Sequence, residues 1–335
     1  MPRCKKSIFH ALDKNGRCLK CEKKIQIDHL TPTPAQSQAL APGPTTPTSP
    51  KPPGFDNPWR EVTWSESSKK LILSQMNKFQ LKTSEVDCLK ILLHGPVGAG
   101  KSSFISSINT ALQGHVSTIA LANAAAGVSF TKKFKIHTLN KDGPRFIYPF
   151  AFSDVMGLEQ GQSAGVHTED IFSILEGHMK NGYQFNPVHP IPKESEHYRR
   201  DPELNDKVHC LVSVLPADKI SIIPDEVIQK MRTVREKARN LDIPQVVVIP
   251  RVDLTCPLVD KDIRNIYISR KIKEKMQECS NRLGVPMNCI FPLKNYSEEI
   301  NNNLHLDILI LMALKSIVMF ANDYVEDQVY VDDDE

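Results

Sequence analysis

The sequence has no stretch of about 18 uncharged apolar residues, so no membrane-spanning helix is expected. The nearest approach, residues 304–321, carries Asp307 and Lys315. The first ten residues, MPRCKKSIFH, have no apolar core of the secretion-signal kind. Position 2 is Pro rather than the glycine that N-myristoylation needs, and no prenylation box closes the chain. A dominant charge is also missing. The 42 Lys+Arg face 39 Asp+Glu, a net +3, so no whole-chain basic field argues for nucleic acid. Eight cysteines without a secretion signal do not suggest a disulfide framework; reduced thiols and a cytoplasmic location are expected. What is present is ordinary globular material. In 335 residues, 40% are hydrophobic and 24% charged, enough for one large domain or two smaller ones.

Composition divides the chain. Residues 1–30 are basic and hold Cys4, Cys18 and Cys21. Residues 31–58 hold nine of the 24 prolines and read as an extended linker. Residues 59–326 alternate apolar runs with helical patterns and read as one doubly wound α/β domain with a mostly parallel sheet. Residues 327–335 read as a solvated acidic tail. Strands are expected over 88–95, 145–154, 208–215, 244–250 and 289–293. Helices are expected from Lys101, over 71–79, 225–240, 260–283 and about 304–322.

The chemistry concentrates at GPVGAGKS, residues 95–102, which fits G-x-x-x-x-G-K-[ST] without a mismatch between a strand and an amphipathic helix. Gly95, Gly98 and Gly100 let the backbone curl onto a phosphate. The amides from Pro96, Val97 and Ala99 through Lys101, Ser102 and Ser103 surround an anion nest at a helix start, proline itself lending no N–H. Lys101 would reach the β- and γ-phosphates, and Ser102 would offer its hydroxyl to Mg²⁺. SDVMG, residues 153–157, gives D-x-x-G at a strand end: Asp154 for Mg²⁺ and the Gly157 amide for the γ-phosphate. Leu158 and Glu159 follow where a water-orienting Gln often stands, so fast hydrolysis is not supported and no catalytic residue is assigned. Pro250-Arg251-Val252-Asp253 follows a strand at the place of [NT]-K-x-D. Asp253 keeps the carboxylate for two guanine N–H groups, and Arg251 can lay its stem or head on a base. Pro250 loses a side-chain hydrogen bond. Thr118, Ser129 and Thr131 compete for the first switch, with Thr131 preferred among them and none assigned.

Near the N-terminus, Cys18-Leu19-Lys20-Cys21 is a C-x-x-C knuckle, and Cys4 and His10 lie upstream. These four could form a Zn²⁺ tetrahedron; a disordered basic arm with incidental thiols is the competing reading. The arm's charge allows contact with RNA or an acidic partner. The proline-studded stretch 182–206 reads as a surface insertion, either a partner surface or simply tolerated. His167, His178 and His209 show no metal-ligand spacing.

GPVGAGKSS, GHVSTIAL, SDVMGLE, EDIFSILEGHMKNGYQFNP, DKVHCLVSV, RVD and PLKNYSEE occur in this order after FDNPWREVTW. Together they resemble the interferon-induced protein 44 family, including its 44-like members, over about residues 55–326. The resemblance implies a cytoplasmic, interferon-inducible protein of innate antiviral defence with a P-loop, GTPase-like domain binding GTP or GDP with Mg²⁺ and acting on protein partners of immune signalling. Longer members carry an N-terminal TLDc-type domain, for which residues 1–58 are too few and too polar. Three modes of action stand at this point. One is a nucleotide-dependent switch or scaffold with slow or no hydrolysis. Another is a nucleotide-free pseudo-GTPase adaptor. The third is an assembly-stimulated GTPase, against which Leu158 and Pro250 weigh.

Overall fold

Short runs dense in Val, Ile, Leu and Phe build the centre of the protein. A computed structural model describes residues 53–117, 132–141, 146–161 and 164–332, the side chains of 330–332 apart. The strands are β1 (Leu89–His94), β2 (Lys135–Lys141), β3 (Phe146–Asp154), β4 (Cys210–Val214), β5 (Gln245–Ile249) and β6 (Ile290–Pro292). They form one sheet in the order β2-β3-β1-β4-β5-β6. All neighbours are parallel except β2, which runs antiparallel to β3. Every residue of β4 is buried, as a strand covered on both faces requires.

The helices are α1 (Glu66–Lys78), α2 (Lys101–Gln113), α3 (Thr168–Leu175), α4 (Asp225–Asn240), α5 (Val252–Thr255), α6 (Pro257–Lys261), α7 (Arg270–Leu283) and α8 (Leu304–Asp332). α8 touches α1, α2, β1, β4 and β6, while α4 touches α3, α7 and β4. α4 starts with Asp225 and Glu226 and ends with Lys237 and Arg239, charges that complement its dipole. α8 is long and apolar enough to cross a membrane, yet it is the core helix of this domain, with Ile308, Leu311, Leu314 and Ile317 fully buried. Its Asp307 is buried as well. It pairs with Lys69 of α1 at 2.7 Å and accepts from the Tyr296 hydroxyl at 2.7 Å.

Several elements depart from the sequence reading. The pattern over 260–283 is not one helix. Asp262 accepts from the Arg264 amide and starts a 3-10 turn over Ile263–Tyr267; Ser269 accepts from the Ile272 amide and caps α7. α8 runs on through the first residues of the expected acidic tail. Residues 53–58, read as linker, pack onto the domain. The Phe55 amide donates to Ile268 O at 2.8 Å, and the Arg270 guanidinium sits 4.1 Å from the Phe55 ring centre. The insertion over 182–206 is tied down along its length. Phe134 N–H donates to Tyr183 O, Phe185 N–H to Lys132 O, and Ile191 N–H to the Asp170 carboxylate. Residues 1–52, with the tentative zinc set Cys4, His10, Cys18 and Cys21, lie outside the described residues, as do Thr118, Ser129 and Thr131. No group of three metal-ligating side chains occurs among the described residues. His178 instead stacks on Tyr198, and His209 accepts from Lys90 N–H and faces Leu204 O, its burial holding its pKa down to about 4.

Two packing features make predictions. β6 is an edge strand, and Arg60 covers it: its two terminal nitrogens donate to Ile290 O and Met287 O, each at 2.9 Å. The same guanidinium lies 5.3 Å from the Tyr267 ring centre and 5.5 Å from that of Trp59. Arg60→Ala is therefore expected to lower unfolding free energy by about 2–4 kcal/mol in urea, and Arg60→Lys to recover only part of it, because an ammonium lacks the fork. An Arg60→Ala curve superimposing on the wild type would refute this role.

Asp170 is fully buried in the first turn of α3, and its second carboxylate oxygen has no hydrogen-bond partner among the described residues. Burial raises its pKa to about 6, the Ile191 bond opposing and Glu169 adding slightly. The folded state thus binds this proton more tightly than the unfolded chain. Stability falls as pH rises from about 4 to 6 and stays lower above that. Asp170→Asn keeps the acceptor for Ile191 and removes the charge. It should stabilise the protein by about 2 kcal/mol at pH 7.5, with the gain fading below pH 4. A pH-independent effect in thermal melts would contradict this.

Candidate nucleotide-binding site

Five loops meet at the carboxyl edge of the sheet, following β1, β3, β4, β5 and β6. The loop after β1 begins at Gly95, whose φ is +149° and whose missing Cβ would lie 2.2 Å from Val214 O of β4. Gly98 and Gly100 also take positive φ, at +69° and +98°. Gly100 then starts α2, so the amides of its first turn, at Lys101, Ser102 and Ser103, stand at the helix's positive end. Ala99 is buried, and its N–H turns back to Pro96 O at 3.2 Å.

Lys101 is 7% exposed, and its Nζ donates to Gly95 O at 3.2 Å and Pro96 O at 3.3 Å. Burial pushes the ammonium below the ordinary lysine range, and Asp154 partly opposes that. His94 sits beneath it, hydrogen-bonded to Ser213 Oγ at 2.7 Å. Burial, then the charge of Lys101, lowers the His94 pKa to about 3. The imidazole stays neutral, so Lys101 is the cation of this floor, which suits it to a polyphosphate.

Ser102 Oγ donates to Asp154 Oδ2 at 2.6 Å. A hydroxyl and a carboxylate oxygen converging at the phosphate loop are hard oxygen donors of the kind Mg²⁺ takes, so the residues fit that ion. Gly157 lies against the phosphate loop: a Cβ there would stand 2.6 Å from Val97 Cα. The following residue folds onto the loop. Leu158 N–H donates to Gly95 O at 3.0 Å and Val97 N–H to Leu158 O at 3.2 Å. The Leu158 side chain is 1% exposed, and Lys230 of α4 holds Glu159 O at 2.8 Å. The buried Leu158 side chain has no polar atom with which to orient a water, and Glu159 is half-exposed.

At the other end, Arg251 takes a left-handed φ of +64°. This turn sends its guanidinium back to Gly98 O at 2.9 Å and to within 3.8 Å of Asp218 Oδ2. Its planar head is thereby engaged by Gly98 and Asp218. Asp253 Oδ2 lies 3.7 Å from Lys294 Nζ, while Asp253 Oδ1 is buried with no hydrogen-bond partner among the described residues. An unfilled acceptor here fits the N–H edge of guanine. Burial opposes charge on Lys294, but Glu299 and Asp253 outweigh it and raise its pKa. The structure thus gathers Gly95–Ser103, Asp154, Gly157, Arg251 and Asp253 along one edge. The sequence reading missed Asp218, Lys294 and Asn295. Their signal was position, since each closely follows a buried strand.

No family model matches the chain. Interferon-induced protein 44 of Homo sapiens is 32% identical over 262 residues, 77% of this chain and 58% of that protein. Interferon-induced protein 44-like of Homo sapiens is 30% identical over 269 residues, 80% and 59% respectively. The Mus musculus interferon-induced protein 44 is 31% identical over 239 residues, 71% and 56%. The chain thus spans under two thirds of the length of the curated relatives it matches. Among solved structures, Toc33 from Arabidopsis thaliana in complex with GDP and Mg²⁺ is 11% identical, covering 77% of this chain and 93% of that one, with a TM-score of 0.44. Translation elongation factor SelB from Methanococcus maripaludis is 9% identical, covering 72% and 35%, with a TM-score of 0.34. Those overlaps are too loose to add to what the sheet order and the phosphate loop establish, a P-loop α/β fold. Over the region it shares with these relatives, the chain belongs to the interferon-induced protein 44 family.

Proposed function

We propose that this chain is an interferon-induced guanine-nucleotide-binding protein, a cytoplasmic switch or scaffold in innate antiviral defence that hydrolyses GTP slowly or not at all. The observation that carries the reading is the complete phosphate loop with buried Lys101 at its floor and the Ser102–Asp154 pair at 2.6 Å beside it. The open acceptor of Asp253 supports guanine over adenine. The buried Leu158 supports slow turnover. In this reading its partners in immune signalling are proteins.

A second reading, the nucleotide-free adaptor, draws on one observation. Val97 N–H, a donor of the phosphate loop, is spent on Leu158 O. Displacement of a fluorescent GDP from the full chain separates the two. GDP and GTP should compete with the fluorescent probe, ATP should not, and phosphate release from GTP should stay near the buffer rate. No fluorescent change on adding the probe with Mg²⁺ would leave the adaptor.

A further inference from the structure

We infer that Asn295 is a positioning residue of the nucleotide site, doing from the loop after β6 what an Asn or Thr at position 250 would do. The inference rests on the nucleotide-binding reading above. Position 250 is close to the phosphate loop: a Cβ on Gly100 would stand 3.5 Å from Pro250 Cγ. A pyrrolidine ring at that place has no donor. Asn295 reaches the same glycine from the opposite loop. Its Nδ2 donates to Gly100 O at 3.1 Å and would stand 3.0 Å from a Cβ there.

The orientation of the amide follows from its partner, because Gly100 O only accepts. That leaves Asn295 Oδ1 as the other pole, buried and without a hydrogen-bond partner among the described residues. A buried amide oxygen in that condition is costly unless a ligand donor meets it. The loop carrying Asn295 is itself fixed. Tyr296 N–H donates to Ser107 Oγ of α2 at 2.9 Å, and Leu293 N–H to Ile249 O of β5 at 3.0 Å. Lys294 between them pairs with Asp253 and Glu299. Gly100 is the residue from which α2 starts, so its carbonyl orientation sets where the phosphate-facing amides point. Asn295 thus joins the base-reading end to the phosphate end by a single side chain, and Pro250 makes that relocation necessary.

The test uses the full chain and a fluorescent GDP with Mg²⁺. Asn295→Ala should weaken binding about tenfold, one hydrogen bond's worth or slightly more. Asn295→Asp keeps the shape, removes the donor and should weaken it at least as much, guarding against a folding defect in the first variant. Melting temperatures without nucleotide report that defect directly. The deciding variant is Asn295→Ala combined with Pro250→Asn, which should regain most of the lost affinity, as a general packing role for Asn295 would not allow. Asn295 variants that bind like the wild type, or a double variant as weak as Asn295→Ala, would overturn the inference alone. A wild-type chain that binds no fluorescent GDP would overturn the nucleotide reading and this inference with it.

Discussion

A Gly95→Ala variant is expected to lose about 3–5 kcal/mol of stability, with a melting temperature lower by roughly 10 °C, whereas Gly98→Ala three residues on should lose only about 1 kcal/mol. Both glycines take positive φ, so both pay the conformational cost of a Cβ. They differ in what the Cβ meets. At Gly95 it would stand 2.2 Å from Val214 O and 3.4 Å from Val214 N. Val214 belongs to β4, which is paired on one side with β1 and on the other with β5. No flexible side-chain end is available to move, so the strain falls on two central strands. At Gly98 nothing lies within 4 Å of the added atom. Urea unfolding of the two variants side by side checks the account. Equal losses would mean that the loop's backbone conformation, not its contact with β4, sets the cost.

Lys101→Ala should abolish guanine-nucleotide binding, weakening it at least about a hundredfold, while the nucleotide-free protein stays within about 1 kcal/mol of the wild type. The asymmetry follows from burial. Lys101 carries a desolvated ammonium whose hydrogen bonds go to two loop carbonyls and whose charge is only partly answered by Asp154. Without an anion its contribution to folding is small, because desolvation offsets those bonds. With a polyphosphate the same charge becomes strongly favourable. A large fall in stability without nucleotide would instead make Lys101 a structural residue. The comparison needs melts with and without GDP: the wild type should shift upward with nucleotide and the variant should not.

Which parts of this molecule were legible in the sequence follows from the range of the interactions that form them. β1, β4 and β5 are largely apolar runs because parallel strands are covered on both faces, and their limits fall within a residue or two of the sequence reading. β2 escaped it. KIHTLNK lies on the sheet edge with one buried residue, Leu139, and the rest exposed or half-exposed, so its composition carries little apolar signal. The break between α6 and α7 escaped because Asp262 and Ser269 act as caps inside a sequence whose helical periodicity continues across them. Pro-rich composition hid the packing of residues 53–58, which depends on Ile268 and Arg270 more than two hundred positions away.

The site divides the same way. The phosphate loop is local, eight residues between one strand and one helix, and a pattern suffices to find it. The hydrogen-bonded pair Ser102 and Asp154 spans 52 positions but carries its own motif at each end. Asn295 is 195 positions from Gly100, in a PLKNYSEE segment whose pattern names no chemistry, so only the folded chain brings the two together. The sequence loss at Pro250 was visible; its compensation was not.

The proposed guanine-nucleotide site comprises Gly95–Ser103, Asp154 and Asp253. Its most direct test is calorimetric titration of the full chain with GDP and, separately, with ADP in the presence of Mg²⁺. The account predicts a saturable heat with GDP at one nucleotide per chain and none of comparable affinity with ADP. No saturable heat with GDP, or equal affinity for ADP, would contradict it.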